Sequence, residues 1–370
     1  MSDDRLVLTA SGQALLHETV SGNDLPEFLH LVERIRQADV AFTNFEAACA
    51  PDPSVVPPER HPAPVEALAD LKWMGFDLVS LANNHAVEGG LEGVSYTREQ
   101  ALAAGLTPAG TGKDLAEAQS PSYLEVKGRR IALIAMDTAN LQTKVAVANG
   151  QPGVNPLRGS RTGDGILRDA WIGEGIALND DDVARNLSVV EEAASQADIV
   201  LVSIHEHLWP AEWKDVAFRH RWPEDWRMPM EWKRAFTRQL IDAGASAVLA
   251  HGMPRACAIE LHRGRPIFHS LGNLLFHLHV DAAWPNPDVW EGMIADVTFD
   301  GTTVSGIELT PVVLIDRDGY DHVQSTTRRW AKIDSSQRGQ QVLERVAADS
   351  AAVGTRMDVA SGRATISISP

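Results

Sequence analysis

Six short apolar runs set the limits on how this chain can fold. They lie at residues 5–10, 40–44, 77–82, 131–136, 198–205 and 247–251. Each is strand-length, and most are separated from the next by a stretch of helical period. Asp24 and Pro26 open a helix over 24–37, with Asp24 expected as its N-cap. Further helices are expected over 63–74, 92–104, 183–196 and 231–243. Strands that alternate with helices predict an α/β chain built on parallel pairing.

Two stretches break the rhythm. Residues 138–180 hold Gly150, Pro152, Gly153, Pro156 and Gly159 without a sustained period, and are expected to form an ordered loop over a catalytic face. Residues 209–232 carry Trp209, Trp213, Trp222, Trp226 and Trp232, a density that suits a pocket wall or lid, or a satellite cluster under a long loop. After residue 257 the pattern turns strand-rich, with hairpins expected at Arg263-Gly264 and Asp300-Gly301 and a late helix over 336–348. No linker divides the chain, so residues 1–370 are expected to form one domain.

Composition narrows the partners. The formal net charge is −17, from 33 Lys+Arg against 50 Asp+Glu. Nucleic-acid binding rests on clustered basic residues, so no nucleic-acid partner is expected. The two cysteines, Cys49 and Cys257, are too few for a disulfide framework. The opening residues lack a signal-peptide pattern, and no apolar span reaches about 20 residues. A cytoplasmic protein without a membrane anchor is expected, and a homo-oligomer is left open.

The chemistry-bearing residues sit where the apolar runs end. Gly12-Gln13, Asn44-Phe45-Glu46, Asn83-Asn84-His85, His205-Glu206-His207 and His251 each follow such a run. Ligands of α/β sheets bind outside the carboxyl ends of the strands, so these groups are expected to converge. Imidazole, carboxylate and amide oxygen together suit a divalent ion such as Zn, Mn or Fe. Nucleotide-binding glycine loops and the serine nucleophile elbow are missing.

Several of these segments carry a family pattern. Ser80-Leu-Ala-Asn-Asn-His85, Asp39-Val-Ala-Phe-Thr-Asn-Phe-Glu46 and Gly110-Thr-Gly-Lys-Asp-Leu-Ala-Glu-Ala118 resemble the poly-γ-glutamate capsule-synthesis (CapA-like) family. So do Pro152-Gly-Val-Asn-Pro-Leu-Arg158, Ile241-Asp-Ala-Gly-Ala245 and Ile267-Phe-His-Ser-Leu-Gly-Asn273. That family is similar to the calcineurin-like metallophosphoesterases. The resemblance implies a four-layer α/β/β/α sandwich with one or two ions on the strand-end loops. It implies Glu46 as a bridging carboxylate and Asn84, His205 and His251 as ligands of one ion. His85 and His207 would move protons, and Arg60, Asn155 and Arg158 would hold an anionic small-molecule substrate. Gln13 stands where the family has Asp, and Pro254 where it has a second His, so the other ion loses two ligands, and His207 or His17 would have to replace them.

The implied activity is a metal-dependent hydrolase acting on an amide-type, γ-glutamyl-like bond. The alternatives are a phosphoesterase and a non-catalytic binding or assembly protein with a degenerate metal site.

Overall fold

A computed structural model describes residues 4–57, 60, 62–138, 150–161, 176–208, 228–277, 287–315 and 330–368. The chain is mixed α/β, and two sheets carry most of it. In the first, Arg5–Leu15 lies between the antiparallel strand Glu291–Asp300 and the parallel strand Val40–Phe45, and also pairs in parallel with Asn273–Phe276. Leu78–Ser80 and Thr107–Ala109 extend the parallel side. In the second, Arg129–Asp137, Ile199–His205 and Ala247–His251 run parallel to one another. Ser122–Val126 and the hairpin Ile259–His262/Arg265–Phe268 complete it.

Strand alternation explains how these sheets pack. Successive side chains of a strand point to opposite faces, so a strand apolar on both faces must be covered on both. In Arg129–Asp137, Ile131, Leu133 and Ala135 enter one core. Ala132, Ile134 and Met136 enter another. The first core also takes Leu6, Leu8, Val40 and Phe42, so the two sheets share it. The second takes Val190, Phe236 and Leu240 from the helices Asp180–Ala194 and Glu231–Asp242. A third core joins Ala41, Phe45 and Val79 of the first sheet to Phe28, Leu31, Leu68 and Leu71 of the helices Pro26–Arg36 and Glu66–Met74.

All six expected strands are present, within two residues at either end apart from Arg5–Leu15, which continues to Leu15. The hairpin at Arg263-Gly264 turns through positive φ at both residues, 53° and 72°, the handedness that matches strand twist. Two expectations need correction. The first helix begins at Pro26 with Leu25 at its N-cap and no side-chain cap, and Asn23 accepts the Leu25 N–H at 2.9 Å in the turn before it. The stretch 138–180 is not structureless where it is described. Gly153–Val154 pairs with Thr111–Gly112, and Gly159–Arg161 pairs with Ile176–Leu178. Residues 209–227, and with them four of the five clustered tryptophans, lie outside the described residues. The fifth, Trp232, is buried in the core under the helix Glu231–Asp242.

That helix is also tied down by charge. Arg234 and Arg238 both donate to the buried carboxylate of Glu260 on the neighbouring strand, and His269 stands 3.2 Å from it. Burial alone would raise the Glu260 pKa, but these partners outweigh it and hold the group well below the ordinary carboxylate range. A depressed pKa stabilises the fold above the unfolded-state value, and that contribution fades as pH falls toward the folded-state value. Acid unfolding of the wild type should therefore steepen below about pH 4.3. Glu260→Gln should flatten that part of the curve and lower stability at neutral pH, as read by denaturant titration at several pH values.

Candidate metal centre

Parallel register sets the level of each strand end. His205 is the register partner of both Asp137 and His251, so the ends of three adjacent strands stand side by side. Gln13 is likewise level with Asn44 and Asn273 in the other sheet. The two edges touch where the Gln13 Oε1 accepts the Gly252 N–H at 3.0 Å. Gly252 has φ +103°, and a Cβ there would stand 2.3 Å from the Glu206 carbonyl oxygen, so only glycine fits this junction.

Glu46 enters from the first sheet, immediately after Val40–Phe45. Its loop is held by the buried Asn83, whose amide donates to the Phe45 carbonyl at 2.7 Å and whose oxygen accepts the His85 N–H at 3.1 Å. One side chain thus sets both Glu46 and His85. Across the junction, the His205 Nε2 lies 3.6 Å from the Glu46 Oε1, and the His85 Nε2 lies 3.9 Å from the same oxygen. Candidate ligand atoms of Glu46, His205 and His207 all fall within 4.8 Å of one another. The Glu46 Oε2 and the His205 Nε2 are buried and have no hydrogen-bond partner among the described residues. Orphaned buried lone pairs are costly, and a divalent cation would satisfy both.

The electrostatics agree with that donor set. Burial lowers His207 to about 3, and the His85 charge adds to this against the Gly252 carbonyl. Burial first, then the neighbouring imidazoles and Lys233, keep His205 far below its ordinary value. Both rings are neutral at pH 7, the form that binds metal. Burial pushes Glu46 up to about 8; the His85 charge opposes this, and the nearby Glu88 and Asp137 add to it. His85 behaves differently. Burial opposes its protonation, but the Glu88 carboxylate at 2.7 Å outweighs that and raises the pKa.

Comparison with known proteins identifies the pattern. The model of the bacterial capsule synthesis protein PGA_cap matches residues 7–278. The chain belongs to the PGA_cap family. Relatives include the uncharacterized protein y4sH of Sinorhizobium fredii, 29% identical over 319 residues, with 74% of this chain and 66% of that protein covered. The probable polyglutamine synthesis accessory protein Rv0574c of Mycobacterium tuberculosis is 28% identical over 74% of this chain and 67% of its own. The PGA biosynthesis protein CapA of Bacillus subtilis is 28% identical over 59% of this chain and 46% of its own. The match with the first of these thus spans just under two thirds of the relative's length.

Not every residue singled out in the sequence reaches this PGA_cap centre. Glu46, His85, His205 and His207 come together. His251 stands behind His205. Its Nδ1 is 2.8 Å from the His205 Nδ1 and its Nε2 is 2.7 Å from the Ser203 hydroxyl, so it faces the far side of that ring from Glu46. Asn84 follows the buried Asn83, and its side-chain oxygen is buried without a hydrogen-bond partner among the described residues.

The three residues read as substrate-binding each make contacts within the chain. Asn155 is fully buried and donates to the Ala135 carbonyl and to Asn186, at 3.0 and 2.8 Å. The Arg158 fork already holds a carboxylate of this chain: its Nε and Nη2 donate to Asp182 at 2.7 and 2.8 Å. Arg60 donates to the Val87 carbonyl at 3.1 Å. His17 is held by the His277 carbonyl at 2.9 Å through its Nδ1. Three groups were missed by the sequence reading: Asp137, Glu88 and Lys233, the buried partner of Glu206. Asp137 was legible as the carboxylate ending an apolar run, and Glu88 as the residue one helical turn after His85.

The Arg158–Asp182 pair gives a direct check. Arg158→Ala should lower stability by about 1 kcal/mol, since the buried Asp182 retains Arg185 and the lost guanidinium is half exposed. The bound-metal content by elemental analysis should stay at the wild-type value.

Proposed function

We propose that this chain is a metal-dependent hydrolase acting on an amide-type bond of a small, carboxylate-bearing molecule, within a single four-layer α/β/β/α domain. The observation that carries the reading is the pair of buried ligand atoms without hydrogen-bond partners among the described residues, on Glu46 and His205, with His85 held beside them by Glu88. Glu46, His205 and His207 would hold a divalent ion such as Mn, Zn or Fe, with Asn84 completing the set. His251 would serve only an ion on the Nδ1 side of His205. Such an ion lowers the pKa of water and polarises a carbonyl.

The chain's own residues supply the remainder. Glu88 accepts the His85 Nδ1–H, so the Nε2 faces the Glu46 edge, where the protonated ring would pass a proton to a leaving amine. Asn83 fixes the spacing between His85 and Glu46. The names of the relatives, a PGA biosynthesis protein and polyglutamine synthesis accessory proteins, favour a γ-glutamyl linkage as the bond acted on. No helix among the described residues is long and apolar enough to cross a membrane. The net charge of −17 favours a small substrate over a long polyanion.

A second reading, a non-catalytic binding or assembly protein, is favoured by Gln13. Its amide oxygen is committed to the Gly252 N–H and stands where a carboxylate ligand is expected.

Elemental analysis and a γ-glutamyl amide assay separate the two. The hydrolase should purify with at least one ion per chain, and Glu46→Gln or His205→Asn should lose it. His85→Gln should keep the ion while kcat falls by roughly 10²–10⁴-fold. A folded, metal-free wild type with no turnover would leave the non-catalytic reading standing.

A further inference from the structure

Glu206 and Lys233 form a buried ion pair beside the candidate centre. Their side chains are 2% and 3% exposed, and the Lys233 Nζ lies 2.8 Å from the Glu206 Oε1. Lys233 also donates to the His269 carbonyl at 2.7 Å, which ties three elements to one ammonium. Glu206 sits between His205 and His207 in the chain. Its N–H donates to the His251 carbonyl at 2.9 Å, and its backbone abuts Gly252. The next residue is fixed as well, since the His207 N–H donates to the Thr138 hydroxyl at 3.0 Å.

A buried ion pair is a weak source of net stability, because desolvation cancels most of the Coulombic attraction. The helix Glu231–Asp242 is in any case packed by Trp232, Phe236, Leu240 and Ile241. What the pair adds is registry. A carboxylate that must meet one ammonium in an apolar setting fixes the rotation of the strand end, and with it the shared direction in which the flanking His205 and His207 project. Met228, Met230, Met253 and Cys257 line the surroundings of the pair, so no bulk-water alternative competes for either charge.

We infer that the Lys233–Glu206 ion pair is the positioning device that aims His205 and His207 at a common ion. The inference rests on the metal reading above and goes beyond it, naming two residues that touch neither ion nor substrate. Besides the neighbouring imidazoles, the charged groups around the pair include Glu260 with Arg234 and Arg238, which pair with it, and Arg255 and Asp349, which act on Cys257 together with Lys233 and Glu206.

The test is Co²⁺ titration of the whole chain, followed by visible absorption, with apo-protein thermal melting alongside. Lys233→Met leaves a buried carboxylate without its partner. The double variant Lys233→Met/Glu206→Leu removes both charges at similar volume, and so keeps the test decisive if the single variant does not fold. The double variant should melt near the wild type, bind Co²⁺ about 10–100-fold more weakly and show a shifted d–d spectrum. Wild-type affinity and spectrum in that variant overturn the positioning role and leave the metal reading intact. Absence of any Co²⁺ spectrum in the wild type overturns both.

Discussion

Parallel pairing between Arg129–Asp137, Ile199–His205 and Ala247–His251 is the constraint on which the centre depends. It puts Asp137, His205 and His251 at one level without any side chain having to choose that level. A slip of one residue would turn all three to the opposite face. The apolar alternation of these strands forbids the slip, because both faces are buried, one against the other sheet and one against helices. The same core that stabilises the fold therefore sets the geometry of the polar rim.

The rim is completed by a contact between sheets rather than within one. Gln13 and Gly252 close the junction, and Glu46 crosses it to face His205. Burial then decides the protonation states. It keeps the imidazoles of His205 and His207 neutral and pushes Glu46 upward, while Glu88 raises a His85 pKa that burial alone would lower. Neutral nitrogens, a carboxyl group that burial keeps from ionising without a counter-charge, and an imidazole paired with Glu88 sit within a few ångströms. That separation of roles comes from which groups have a close counter-charge.

The arginines show the opposite outcome. Arg158 and Arg60 lie in segments that read as substrate contacts, yet the Arg158 fork holds Asp182 and one Arg60 nitrogen donates to the Val87 carbonyl. A guanidinium binds whichever acceptor the fold brings nearest, and local sequence does not name that acceptor. Asp182 lies 24 residues beyond Arg158 and meets it only because the helix Asp180–Ala194 docks there. Asn155 follows the same logic, since its amide is consumed by Ala135 and Asn186 inside the core.

The sequence by itself determined the strands, most helix limits and the family, because period and turn chemistry are local properties. Polar residues ending apolar runs also marked Glu46, His85, His205 and His207 as a group. Tertiary structure alone decided which of the marked residues share a centre. His251 was displaced behind His205 by Ser203, 48 residues away in sequence. Lys233 was drawn to Glu206 across 27 residues by the docking of one helix. The distinction is physical: backbone pattern is written in neighbouring residues, whereas the partner of a charge or a lone pair depends on which distant group arrives first in a space that excludes water.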